Sequence, residues 1–127
     1  MKIHNPSGVA PGAGYSHGIE LPPQARLLYI AGQLGLTAEG KFAEGGIAGQ
    51  AEQAWRNLGT VLKAAGMGYE NLIKVTHFLV RREDLPTYRE VRAKFLGTHA
   101  PASTLLVISA LARPEALIEV EAIAAKE

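Results

Sequence analysis

The feature that most limits what this chain can become is a mismatch: two helices, and strands that are apolar on both faces. The first helix is predicted over residues 47–65, where Ile47, Ala51, Ala54, Leu58, Val61, Leu62 and Ala65 recur at helical spacing, with Trp55 beside them. Gln50, Glu52, Gln53, Arg56, Asn57 and Lys63 fill its other side, and Gly66 stands where a C-cap glycine belongs. A second helix is predicted over 85–96, with Asp84 as N-cap, Pro86 in the first turn and Gly97 past the end. Leu85, Tyr88, Val91, Arg92 and Phe95 form its shorter stripe.

The strands are predicted at 26–34 ("RLLYIAGQL"), 72–80 ("LIKVTHFLV"), 104–111 ("TLLVISAL") and 117–125 ("LIEVEAIAA"). A weaker one, "HGIEL" (17–21), precedes them, and "ARPEA" reads as a turn joining the last two. The order β-β-α-β-α-β-β predicts an α+β domain with both helices on one face of a mixed sheet. Strands with one wet face should alternate cleanly, and "LLYIA" and "TLLVI" do not. The uncovered face is therefore expected to meet other copies of the chain, in a homo-oligomer.

Composition removes several alternatives. At 127 residues and 47% hydrophobic, the chain fits one domain with a real core. A formal net charge of +1 gives no electrostatic case for nucleic acid, which calls for a basic face or stripe. The densest charge cluster, Arg81-Arg82-Glu83-Asp84, reads as a solvated turn rather than a binding patch. With no cysteine, disulfides, thiolate zinc sites and cysteine nucleophiles are excluded. No stretch has the apolar run of a signal peptide or membrane helix, so the expectation is a soluble, cytoplasmic protein without membrane contact.

The candidate chemistry is sparse. In the last strand Leu117, Glu119, Glu121 and Ile123 point one way, and Ile118, Val120, Ala122 and Ala124 the other, as clean core. The two carboxylates face solvent or a subunit seam in an ordinary strand; at a cleft, one of them would act as a general base or position a water. His4, His17, His77 and His99 show no metal-ligand spacing, so no metal is expected. His77 reads as a structural histidine on the sheet's second side. Tyr15, in "GAGYSHG", either hydrogen-bonds a ligand that the glycines let approach or belongs to an arm that merely packs. Gly32, inside the strand "YIAGQL", marks a bulge or a close backbone approach.

Together, the Gly-x-Tyr segment, "YIAGQLGL", "QAEQAWRNLGTVLKAAGMGYENLIKVTHFLV" and the closing "IEVEAIA" resemble the RidA/YjgF family from about residue 14 to 125. The resemblance implies a chorismate-mutase-like fold, a homotrimer whose sheets form a central barrel, and small-molecule clefts between subunits. In active members these clefts hydrolyse enamines and imines such as 2-aminoacrylate, without cofactor or metal. Carried over by position, Tyr15 matches the cleft tyrosine and Glu119 the glutamate that holds the attacking water, with Glu121 a structural neighbour. Gly32 matches the glycine of the family's "SGQ", whose serine is replaced here by Ala31.

The main departure is at "PASTLL". Active members have "PARS" there, and Ser103 replaces the arginine that grips the substrate carboxylate; Leu105 stands where a cysteine is frequent. A guanidinium–carboxylate pair is charge-assisted and planar, whereas a serine offers one neutral donor. Losing it is expected to weaken binding by about 1.5–3 kcal/mol, against efficient deamination of 2-aminoacrylate. Ser103, Thr104 and backbone amides near Leu105 are left to contact the ligand, and Arg113 is the nearest arginine in sequence to stand in for the lost one. Two functions stay open: a hydrolase of an imine, enamine or related metabolite, and a metabolite-binding or regulatory trimer without chemistry. The endoribonuclease activity attributed to some relatives ranks third, for want of paired acid–base groups and cationic phosphate contacts.

Overall fold

The computed structural model describes residues 1–127. A short ribbon pairs β1 (Lys2–His4) with β2 (Gly18–Glu20). The main sheet contains β3 (Arg26–Leu34), β4 (Leu72–Leu79), β5 (Ala102–Val107) and β6 (Ile118–Lys126), in the order β3-β6-β4-β5. β6 runs antiparallel to both β3 and β4, and β5 is parallel to β4, so the sheet is mixed. Helices α1 (Gly46–Ala64) and α2 (Leu85–Leu96) pack together on one face. Neither is long and apolar enough to cross a membrane.

The apolar stripe of α1 buries Ala51, Ala54, Trp55, Leu58 and Leu62 against Val75, Leu79, Ile118, Val120, Ala122 and Ala124 of the sheet. This is the face of β6 that alternation assigns to the core. At α1's end Gly66 takes φ +71°, a left-handed conformation that stops the helix at little steric cost. The opposite face of the sheet stays open. Leu27 and Tyr29 of β3 and Leu106 of β5 are 49%, 72% and 40% exposed, beside Glu121 of β6 and Lys74 of β4.

Four expectations change. His77 does not face the second side: it is buried with Val75 and Leu79 on the helix side, because the alternation of β4 is set by its apolar residues. Asp84 does not cap α2 with its side chain. Its carboxylate instead accepts from Arg81 Nε at 2.9 Å and Nη2 at 3.0 Å, and a 3-10 turn, Arg82–Asp84, leads into the helix. β5 begins two residues before its predicted start and ends four before its predicted end, since its parallel pairing to β4 runs only from Lys74–Ala102 to Leu79–Val107. Finally, β5 and β6 are not neighbours: β4 lies between them.

Candidate functional site

The sheet register divides the candidate residues into two groups. Glu119 and Glu121 lie opposite Phe78 and Thr76 of β4, the face that carries no helix. Ser103 and Leu105 lie opposite Val75 and His77, on the helix side. Thr104 alternates to the other face, where its Oγ1 accepts from Lys74 Nζ at 2.7 Å.

The helix-side group forms a cavity of about 350 Å³ at the free edge of the sheet, lined by Ala13, Tyr15, Arg89, Arg92, Ser103 and Leu105. Tyr15 is held there by its neighbour. The Ser16 amide donates to the Pro101 carbonyl at 3.2 Å and its hydroxyl to the Ala100 carbonyl at 2.5 Å, which lays the glycine-rich segment along the start of β5. Arg89 and Arg92 come from α2, three residues apart and so on one helix face. Neither takes part in an ion pair. The sequence offered no sign of this beyond Arg92 interrupting an otherwise apolar stripe. Arg113, by contrast, lies 5.2 Å over the ring of Phe42 and is not part of the cavity.

Behind Ser103 runs a buried chain of side chains: Trp55 Nε1 to Tyr88 Oη at 3.1 Å, Tyr88 Oη to His77 Nδ1, and His77 Nε2 to Ser103 Oγ at 2.8 Å. Its polarity follows from the donor inventory. Indole only donates, so Tyr88 oxygen accepts there, and its hydroxyl hydrogen has only His77 Nδ1 left to receive it. Burial, helped by the nearby Arg92 and Lys74 cations, lowers the His77 pKa from 6.5 to about 3, so the imidazole is neutral. With Nδ1 accepting, its one proton is on Nε2 and goes to Ser103 Oγ.

The other group is built where β3 irregularly shifts register between Ile30 and Gln33. A β-carbon added at Gly32 would fall 2.7 Å from the Glu119 carboxyl carbon, so the glycine leaves the room this carboxylate occupies. Ala31 lines a separate cavity of about 530 Å³ on the open sheet face, with Tyr29, Lys74, Thr76, Glu121 and Ile123 among its walls. No group of three His, Asp or Glu side chains is placed to hold a metal ion.

An α+β domain with paired helices on one face of a mixed sheet, and polar clusters on its opposite faces, is the class of protein this geometry defines. The family described as Endoribonuclease L-PSP matches residues 6–126. The chain belongs to this family, the RidA/YjgF group. It is 35% identical over 121 residues to Protein HMF1 of Saccharomyces cerevisiae, covering 94% of this chain and 90% of that one. It is likewise 35% identical over 120 residues to the 2-iminobutanoate/2-iminopropanoate deaminase of Mus musculus, covering 94% and 84%. Among solved structures, the Rid-family protein YyfB from Yersinia pestis superimposes with a TM-score of 0.84 at 32% identity, over 97% of this chain and 96% of that one.

Proposed function

We propose that the protein is a homotrimeric hydrolase of small imines or enamines, with each site built at a seam between two copies. The observation that carries this reading is the division of the site. Glu119 sits against Gly32 on one face of the sheet, while Tyr15 and Ser103 open from the other, so a ligand touching all three needs a second copy. The uncovered apolar residues of the open face supply the surface on which copies would meet.

In this reading Glu119 takes a proton from a water as its oxygen adds to the imine carbon and the C=N pair moves to nitrogen. Glu119 passes that proton to the nitrogen, giving a carbinolamine; it then accepts the carbinolamine's hydroxyl proton and delivers it to the nitrogen as the C–N bond breaks, so that ammonia leaves and a carbonyl product remains. Tyr15 and Ser103 hydrogen-bond the ligand. With serine in place of the arginine, β5 itself supplies no charge to grip a substrate carboxylate. That same replacement favours the second reading, a metabolite-binding trimer that leaves its ligand unchanged.

The test is release of ammonia and keto acid from imines generated by an amino-acid oxidase, measured for wild type, Glu119→Ala and Ser103→Arg. Activity in wild type and none in Glu119→Ala supports the hydrolase. An inert wild type alongside an active Ser103→Arg supports the binding protein.

A further inference from the structure

The cavity beside Ser103 is walled by donors. Arg92 is half-buried, without a carboxylate partner, and reaches back over the glycine-rich segment: its Nη2 is 3.9 Å from where a β-carbon on Gly14 would sit. Arg89 shares the wall from one turn earlier. Because the Ser103 oxygen already accepts from His77 Nε2, its own hydrogen is directed away from the imidazole and toward the cavity. A guanidinium left unneutralised beside an oriented hydroxyl donor is an arrangement that a planar anion completes.

We propose that Arg92 and Ser103 together hold the carboxylate of the ligand, Arg92 supplying the charge from α2 and the buried Trp55–Tyr88–His77 chain fixing Ser103 as a donor. The proposal rests on the reading of this cavity as one half of the ligand site. It replaces a grip from β5 with one from the helix wall, and it assigns to Arg92 the discrimination between acidic and neutral ligands. Trp55, Tyr88 and His77 are positioning residues that act through Ser103. Arg113, held on Phe42, has no part in it.

The experiment is an NMR titration of the isotope-labelled protein with 2-oxobutanoate, and with 2-butanone as its uncharged counterpart. Arg92→Gln is expected to weaken 2-oxobutanoate binding about ten- to a hundredfold and to leave 2-butanone unaffected. Arg92→Lys, which keeps the charge and loses the fork, should fall between wild type and Arg92→Gln; Arg113→Ala should match wild type. Ring ¹⁵N shifts of His77 are expected to show a protonated Nε2 and a bare Nδ1, and Tyr88→Phe, which removes the donor to Nδ1, should disturb that pattern and weaken 2-oxobutanoate several-fold. Unchanged 2-oxobutanoate affinity in both Arg92 variants overturns the clamp, and a protonated Nδ1 in wild type overturns the donor chain. Binding that depends on Arg92 in a protein that hydrolyses no imine upholds the clamp and defeats the hydrolase. Imine hydrolysis with the same KM in wild type and Arg92→Gln does the reverse.

Discussion

Acidification should destabilise this fold through a single buried histidine. His77 is fully buried, both ring nitrogens are engaged, and its pKa falls from 6.5 to about 3, chiefly through burial and then through the Arg92 and Lys74 cations. Between these two values the unfolded chain binds a proton that the folded one refuses, so stability rises with pH across that window and is lost on going down through it. Each pH unit below 6.5 costs about 1.4 kcal/mol, so moving from pH 6.5 to 5 removes roughly 2 kcal/mol. The assay is urea unfolding at fixed protein concentration from pH 5 to 7.5, for wild type and His77→Gln. The variant is less stable throughout, but its slope below pH 6.5 should be shallower by about one proton. Equal slopes in the two proteins would refute the assignment of a neutral, buried imidazole.

Two further outcomes follow from the other face of the sheet. Gly32→Ala puts a methyl group, at an exposed backbone position, against the half-buried Glu119 carboxylate, the flexible end of a side chain. Thermal stability should change by about 1 kcal/mol or less while imine hydrolysis drops at least tenfold, read by calorimetry and ammonia release. Tyr29→Glu alters a residue that is 72% exposed in the single chain, so the isolated fold should tolerate it. Light scattering at micromolar concentration should nonetheless show the proposed trimer giving way to smaller species, because a charge would then be forced into its apolar seam.

Much of the fold was legible because local signals agreed. The helix over 85–96 and the strand over 26–34 fall where periodicity and composition put them, and the alternation of β6 correctly separated Ile118, Val120, Ala122 and Ala124 from the two glutamates. What was not legible depends on partners distant in sequence. β1 is three exposed residues that become a strand only by pairing with β2. The insertion of β6 between β3 and β4, and the early start of β5, are decided by which strands find each other in space. The face taken by His77 follows from its apolar neighbours Val75 and Leu79, and the donor chain behind it needs Trp55 and Tyr88 from two different helices.

The candidate site divides in the same way. Strand alternation and the glycine-rich segment singled out Glu119 and Tyr15 but left each with two readings; resemblance chose between them and added Ser103, since no spacing along a chain marks residues that would meet only across two copies. Arg92 escaped notice because in sequence it reads as one more position on a helical stripe. Only the packing of α2 beside the edge strand turns that position toward Ser103.

The account's central claim is that one working site needs two copies of the chain. Its most direct test mixes a Glu119→Ala chain with a Ser103→Trp chain, which fills the cavity, by co-refolding, and measures imine hydrolysis. Each variant alone should be inert. Every mixed trimer would contain one seam with both halves intact and should recover about a third of the wild-type rate. No recovery from mixed trimers whose assembly is confirmed by mass, with wild type active under the same conditions, would contradict the account.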